Sequence, residues 1–177
     1  MIQILTVSGS LRARSSNSAA LLAAARLAPA GVEVALYEGV GGLPHFNPDV
    51  DEAGPPPAVL EWRRRVGEAD GLMISSPEYA RGVAGSMKNA LDWLVSGPEF
   101  YDKPVAVINA SPRSSHADAA LRLTLATMSG RLVERASITL PLLGRGLDAD
   151  GILADPALAG PLREAVAAFA EAVGPSR

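Results

Sequence analysis

The strongest constraint in this 177-residue chain is an alternation: short apolar, β-branched runs recur between stretches of helix-forming residues along almost its whole length. Ile2 to Val7 is halted by Ser8-Gly9-Ser10, and an unbroken apolar run of that length fits a strand buried on both faces. The stretch SAALLAAARLA follows as a first helix, with a polar start and a Pro-Ala-Gly stop. Val32 to Tyr37, Gly71 to Ser75, Val105 to Ala110 and Leu132 to Thr139 read as four further strands. Ala58 to Ala69, Gly85 to Ser96, Ala117 to Ser129 and Pro156 to Val173 read as four further helices. Glu38 to Pro57 carries so many Gly and Pro residues that it reads as mostly loop, and a loop of that length is usually functional or mobile.

Strands that alternate with helices imply right-handed crossovers and a parallel sheet covered on both faces, a doubly wound α/β fold. With five strands the expected order is the flavodoxin-like 2-1-3-4-5, whose switch point lies between strands 1 and 3 at their carboxyl ends. The length suits one domain spanning residues 1–177.

Composition serves mainly to exclude. Apolar residues at 48% and charged residues at 20% describe a chain that folds. A net charge of −3 from interspersed residues leaves no footprint for nucleic acid or a membrane surface, and Arg63-Arg64-Arg65 reads as a solvated helix face. With no cysteine there is no disulfide, thiolate metal site or cysteine nucleophile, and His45 and His116 alone argue against a histidine metal site. The start MIQILTVSGS lacks a basic leader and cleavage site, and no apolar run approaches the about 20 residues of a membrane span, so a cytoplasmic protein is expected.

Chemistry is therefore sought at the switch point. Between strand 1 and helix 1, GSLRARSSN offers the hydroxyls of Ser10, Ser15 and Ser16, the amide of Asn17, the guanidinium groups of Arg12 and Arg14, and the free N–H groups of a helix start. That set suits a phosphate, and a capping role for Ser16 or Asn17 is compatible with it. GxxxxGK[ST] is absent and Gly9 stands alone, which favours a monophosphate over a pyrophosphate. Across the switch point lies SPEYARGVAGSMKNALDWL, where Pro77 stiffens the turn and Gly82 and Gly85 leave room for backbone to approach a planar ring. Met87, Ala90, Leu91 and Leu94 follow the spacing of a core-facing helix; Trp93 suits packing or a subunit contact better than a cofactor stack. Glu78 has no partner that the sequence identifies and is assigned no proton transfer, while Lys88 and Asp92 are spaced to pair on an exposed face.

The segments GSLRARSSN and PEYARGVAGSMKNALDW resemble the two signature regions of the NADPH-dependent FMN reductase family, flavodoxin-like reductases of flavins, quinones, azo dyes and chromate. The resemblance runs from strand 1 to helix 4. It implies that Ser10, Arg12, Ser15 and Asn17 hold the FMN phosphate with Ser16 close by, and that Pro77, Glu78, Tyr79, Ala80, Arg81 and Gly82 wrap the isoalloxazine mainly through backbone groups. It also implies that the loop ASPRSSH after strand 4 supplies a third edge, with Ser111 the best candidate contact and Arg113 or His116 candidates to meet a nicotinamide nucleotide. The implied co-substrate is NADPH, or NADH, and the implied partner a small-molecule electron acceptor: a quinone, free flavin, azo compound or metal oxyanion. No side chain need act as an acid or base. A homodimer or homotetramer is also implied, and the apolar set Met87, Leu91, Trp93, Leu94 and Val95 looks wider than one core needs. Ala80, Gly82 and Ala84 depart from the Asn, Ser and Pro usual in the family, and Ser114-Ser115 from a glycine pair. The alternative is a flavodoxin-like electron carrier or flavin-binding regulatory module; the modest net charge and the arginines near the site favour the enzyme.

Overall fold

The first strand, β1 (Ile2–Ser8), is central: β2 (Val32–Tyr37) lies on one side and β3 (Gly71–Ser75) on the other, both parallel to it. The structure, a computed structural model, describes residues 1–174. Two short strands, β4 (Glu78–Tyr79) and β5 (Gly82–Val83), form a separate antiparallel hairpin. The main sheet continues with β6 (Pro104–Asn109), which pairs with both β7 (Arg131–Leu132) and β8 (Ile138–Thr139). The order β2-β1-β3-β6-β7, parallel throughout, is the flavodoxin-like order expected from the alternation.

The helices are α1 (Ser16–Arg26), α2 (Pro48–Ala53), α3 (Pro57–Glu68), α4 (Gly85–Asp92), α5 (Ser115–Thr127), α6 (Ala149–Ala154) and α7 (Pro156–Val173). They cover two cores on opposite faces of the sheet. Strand side chains alternate between them: Val105 and Val107 join Trp62, Trp93, Phe100 and Leu121, while Ala106 and Ile108 join Leu21, Leu158 and Phe169. Both faces are buried, which is why the strands are continuous apolar runs. Ala19, Ala20, Ala23 and Ala24 line the buried side of α1 and let it lie close to the sheet. Each large side chain so buried contributes about 1.5–3 kcal/mol relative to exposure.

Three sequence expectations are corrected. The strand expected over Leu132 to Thr139 is two strands separated by a 3-10 turn at Glu134–Ala136, because Glu134 and Arg135 are charged, exposed residues in the middle of the run. The Ser137 hydroxyl accepts the Val107 N–H at 3.0 Å and fills the gap in the ladder. The helix expected to reach Ser96 ends at Asp92, where the Arg63 Nε donates to the Trp93 carbonyl at 2.8 Å.

The third correction concerns Glu38 to Pro57, which holds a 3-10 turn, Gly39–Gly42, and α2, and is tied down firmly. Asn89 accepts the Phe46 N–H at 2.8 Å and donates to the Pro44 carbonyl at 2.9 Å, to which Trp93 Nε1 also donates at 2.8 Å. Arg63 and Ser96 both bond Asp51 of α2. Trp93 is thus core and loop anchor. Met87, Leu91 and Leu94 are equally buried and only Val95 stays exposed, at 63%, so the apolar surplus that pointed to oligomerisation is taken up within the chain. Among the described residues no helix is long and apolar enough to cross a membrane.

Candidate functional site

The register brings the carboxyl ends of β1 and β3 level, with Ser8 opposite Ser75, and the chain leaves both strands on the same edge. Gly9 N–H donates to the Ser75 carbonyl at 2.8 Å, and Ser86 Oγ at the start of α4 donates to the Gly9 carbonyl at 2.6 Å. A β-carbon on Gly9 would lie 2.7 Å from Ser76 Oγ and 2.9 Å from Met87 Cβ. The lone glycine of the first loop is therefore needed for close passage against α4 and the third strand's end.

Beyond Gly9 the loop folds on its own hydroxyls. Ser8 Oγ accepts from the Ser10 N–H at 3.2 Å and from Ser18 Oγ at 2.9 Å. Ser15, not Ser16 or Asn17, caps α1, its Oγ accepting the Ser18 N–H at 3.2 Å. That bond leaves the N–H groups of Ser16 and Asn17 without intrahelical partners, at the positive end of the helix. The Asn17 side chain is buried and held by Ser75 Oγ, which shares its donation between Asn17 Oδ1 at 2.8 Å and the Ile108 carbonyl at 2.6 Å.

Opposite this loop stands the hairpin. Its two-residue turn, Ala80 and Arg81, has φ of 50° and 60°, both left-handed, as a tight type I′ connection requires. Glu78 is not poised as a base: its Oε2 accepts the N–H groups of His116 at 3.0 Å and Ala117 at 2.9 Å. Ser114, in the N-cap position of α5, makes no side-chain cap, so the hairpin caps that helix. The third edge is the turn after β6, where Asn109 Oδ1 accepts the Ser111 N–H at 3.1 Å and Ser111 Oγ accepts the Arg113 N–H at 3.1 Å.

These three edges enclose an open cavity of about 250 Å³. Of the residues expected from the sequence, Ser10, Arg12, Ser15, Ser16, Asn17, Pro77, Glu78, Tyr79 and Ser111 line it together. Ala80, Arg81 and Gly82 complete the hairpin and lie beyond its lining, as do the exposed Arg113 and His116. Arg14 of the first loop and Ala110 and Ser114 of ASPRSSH also line it, within segments that the sequence pointed to; Asn109 and Leu143 were not expected, although Asn109 carried a faint signal as a polar residue ending the apolar run PVAVIN. Arg12 and Arg14 have no acidic partner among the described residues, whereas Arg26, Arg64, Arg122, Arg135 and Arg145 each reach a carboxylate within 2.8 Å. The only carboxylate in the lining, Glu78, is engaged with helix amides, and no histidine joins it. The lining thus offers donors suited to an anion at one end and, among the described residues, neither a free carboxylate nor a histidine.

Fold and site together define a flavodoxin-like protein with an open cavity at the switch point of its sheet, one wall of which is rich in hydrogen-bond donors. Residues 2–141 match the model of the NADPH-dependent FMN reductase family, and the chain belongs to that family. It is 38% identical over 159 residues to the NAD(P)H-dependent FMN reductase of Pseudomonas aeruginosa, covering 87% of this chain and 85% of that one. The quinone reductase of Escherichia coli K12 is 35% identical over 113 residues, 62% of this chain and 60% of that protein. Among solved structures, FerB, a flavoenzyme NAD(P)H:(acceptor) oxidoreductase from Paracoccus denitrificans, aligns with a TM-score of 0.83 at 29% identity, over 98% of this chain and 97% of that one.

Proposed function

We propose that the cavity holds FMN, its phosphate against Ser10, Arg12, Ser15, Ser16 and Asn17 and its ring against Pro77, Glu78, Tyr79 and the hairpin turn Ala80 to Gly82, with Ser111 at the third edge. The observation that carries this reading is the coincidence of Arg12, which has no acidic partner among the described residues, with the free N–H groups of the α1 N-terminus on one wall of the cavity. Such donors suit an anion, and a phosphate monoester is the group that membership of the family supplies. When bound, FMN would provide the hydride chemistry between NADPH, or NADH, and an electron acceptor. The protein's part is to bind and orient. Arg12 and the helix end fix the phosphate, the cap from Glu78 fixes the hairpin, and Tyr79, 57% exposed, borders the open face through which nucleotide and acceptor would enter in turn.

The acceptor class is a quinone, free flavin, azo compound or metal oxyanion, taken at the same open face as the nucleotide. The chain is proposed to work as a single domain in the cytoplasm, as a homodimer or homotetramer. Val95 and Tyr101, exposed after α4, are apolar surface available for that contact. Titration with FMN tests the site: saturable binding with a shifted flavin absorbance is expected, weakened about tenfold or more by Arg12→Ala, the usual cost of a lost charge-assisted hydrogen bond. Absence of binding would remove the reading.

A further inference from the structure

A second cavity, of about 520 Å³, lies on the other side of the loop assigned to the FMN phosphate. It shares Arg12, Arg14, Ser15, Ser16 and Leu143 with the first cavity, so the stretch from Arg12 to Ser16 is a partition open on both faces. Its far wall is Leu22 of α1 and the segment 143–149.

Three properties of that wall narrow its ligand. First, the partition carries two guanidinium groups without acidic partners, and both border the second cavity as well as the first. Second, Leu22 and Leu143 are 44% and 58% exposed and stand with Leu147 on the same cavity, an apolar surface that suits a flat ring. Third, Gly144 and Gly146 hold left-handed φ of 77° and 60°, and a β-carbon on either would meet nothing within 4 Å. Those glycines shape the loop and keep its wall clear of side chains. The one acid in the lining, Asp148, is turned to capping α6, its Oδ1 accepting the Gly151 N–H at 2.8 Å.

A cation beside a clear apolar wall is complementary to a phosphorylated purine nucleoside. We propose that this cavity takes the 2′-phosphoadenosine end of NADPH, with Arg14 against the 2′-phosphate and Leu22, Leu143 and Leu147 against the adenine. The assignment rests on the flavin reading of the first cavity, where the nicotinamide end must lie; Leu143, common to both cavities, is the bridge between them. Arg14 is then the residue that favours NADPH over NADH.

The test is a calorimetric titration of the FMN-saturated protein with adenosine 2′,5′-bisphosphate, repeated on Leu22→Glu and Arg14→Ala. Leu22 borders only the second cavity and is partly exposed on a helix, so a glutamate there places a negative charge in the cavity without touching the first one or the core. The bisphosphate should bind, compete with NADPH, and lose about tenfold in affinity in both variants, with KM for NADPH rising by a similar factor and KM for NADH changing less. No binding, or equal binding to the parent and to Leu22→Glu, overturns the proposal. Flavin absorbance in the same samples separates the two readings. FMN bound with no bisphosphate effect overturns the second cavity alone, whereas no FMN bound overturns the reading of the first cavity and this one with it.

Discussion

Glu78 Oε2 accepts the Ala117 N–H at 2.9 Å, so the hairpin that borders the cavity also caps α5. The same oxygen takes the His116 N–H at 3.0 Å, and Ser114, in the helix's own capping position, contributes no side-chain bond. Glu78→Ala should cost about 1–2 kcal/mol of stability, as lost caps do, and weaken FMN binding by freeing the hairpin. Glu78→Gln, which keeps an acceptor but loses the charge at the helix's positive end, should lose only about 0.3–1 kcal/mol. Urea denaturation and FMN titration check both; an alanine variant that matches the parent in each would show the cap to be idle.

Gly9 is where the two halves of the site meet. Since its β-carbon would fall 2.7 Å from Ser76 Oγ and 2.9 Å from Met87 Cβ, Gly9→Ala should push the first loop off α4, destabilise the fold by about 1–3 kcal/mol and reduce FMN affinity. Gly85→Ala is the control: nothing lies within 4 Å of a β-carbon there. Equal melting temperatures for the two variants would contradict the close-passage argument.

The hairpin turn is built from residues poorly suited to it. Ala80 and Arg81 both hold left-handed φ, 50° and 60°, each at a cost of roughly 1–2 kcal/mol that Asn and Gly largely avoid. The double substitution Ala80→Asn, Arg81→Gly should raise stability by about 1–2 kcal/mol, an increase of roughly 2–4 °C in Tm per kcal/mol for a chain of this size. Calorimetric melting measures it, and an unchanged or lower Tm would mean that the turn carries no relievable strain.

Acid should loosen the segment before α3. Hydrogen bonds from Arg63 and then Ser96 hold the Asp51 carboxyl below the usual carboxylate range, against a smaller opposing effect of burial. A folded pKa below the unfolded one means that the stabilisation is full above the unfolded carboxylate value near pH 4 and disappears as pH falls through the lower folded value. Asp51→Asn should flatten that part of the stability profile. Melting curves between neutral pH and pH 2 decide, and parallel acid limbs for variant and parent would count against the Asp51 clasp.

Sheet order and the donor-rich first loop are legible because strands buried on both faces are unbroken apolar runs and because hydroxyls, an amide and guanidinium groups suited to a phosphate cluster in one turn of sequence. The hairpin was not: two-residue strands have no period to detect, and Ala80-Arg81 lacks the Asn-Gly chemistry that marks a type I′ turn. The division of the last strand hinged on Glu134 and Arg135, whose exposure depends on a ladder that Ser137 completes from the side. Glu78 was recognisable as a residue of the site, but its partners lie in α5 and become visible only once the chain is folded. The apolar face of α4 looks surplus in sequence because partners of Trp93, the carbonyl of Pro44 and the ring of Phe46, sit in a stretch that reads as mostly loop.

The most direct measurement is anaerobic mixing of the FMN-loaded protein with NADPH while the flavin absorbance is followed. A reductase of this kind loses its yellow absorbance within seconds, with no other protein present, and regains it when a quinone is added. An absorbance that persists until a separate reductase is supplied would contradict the enzyme and identify the chain as an electron carrier.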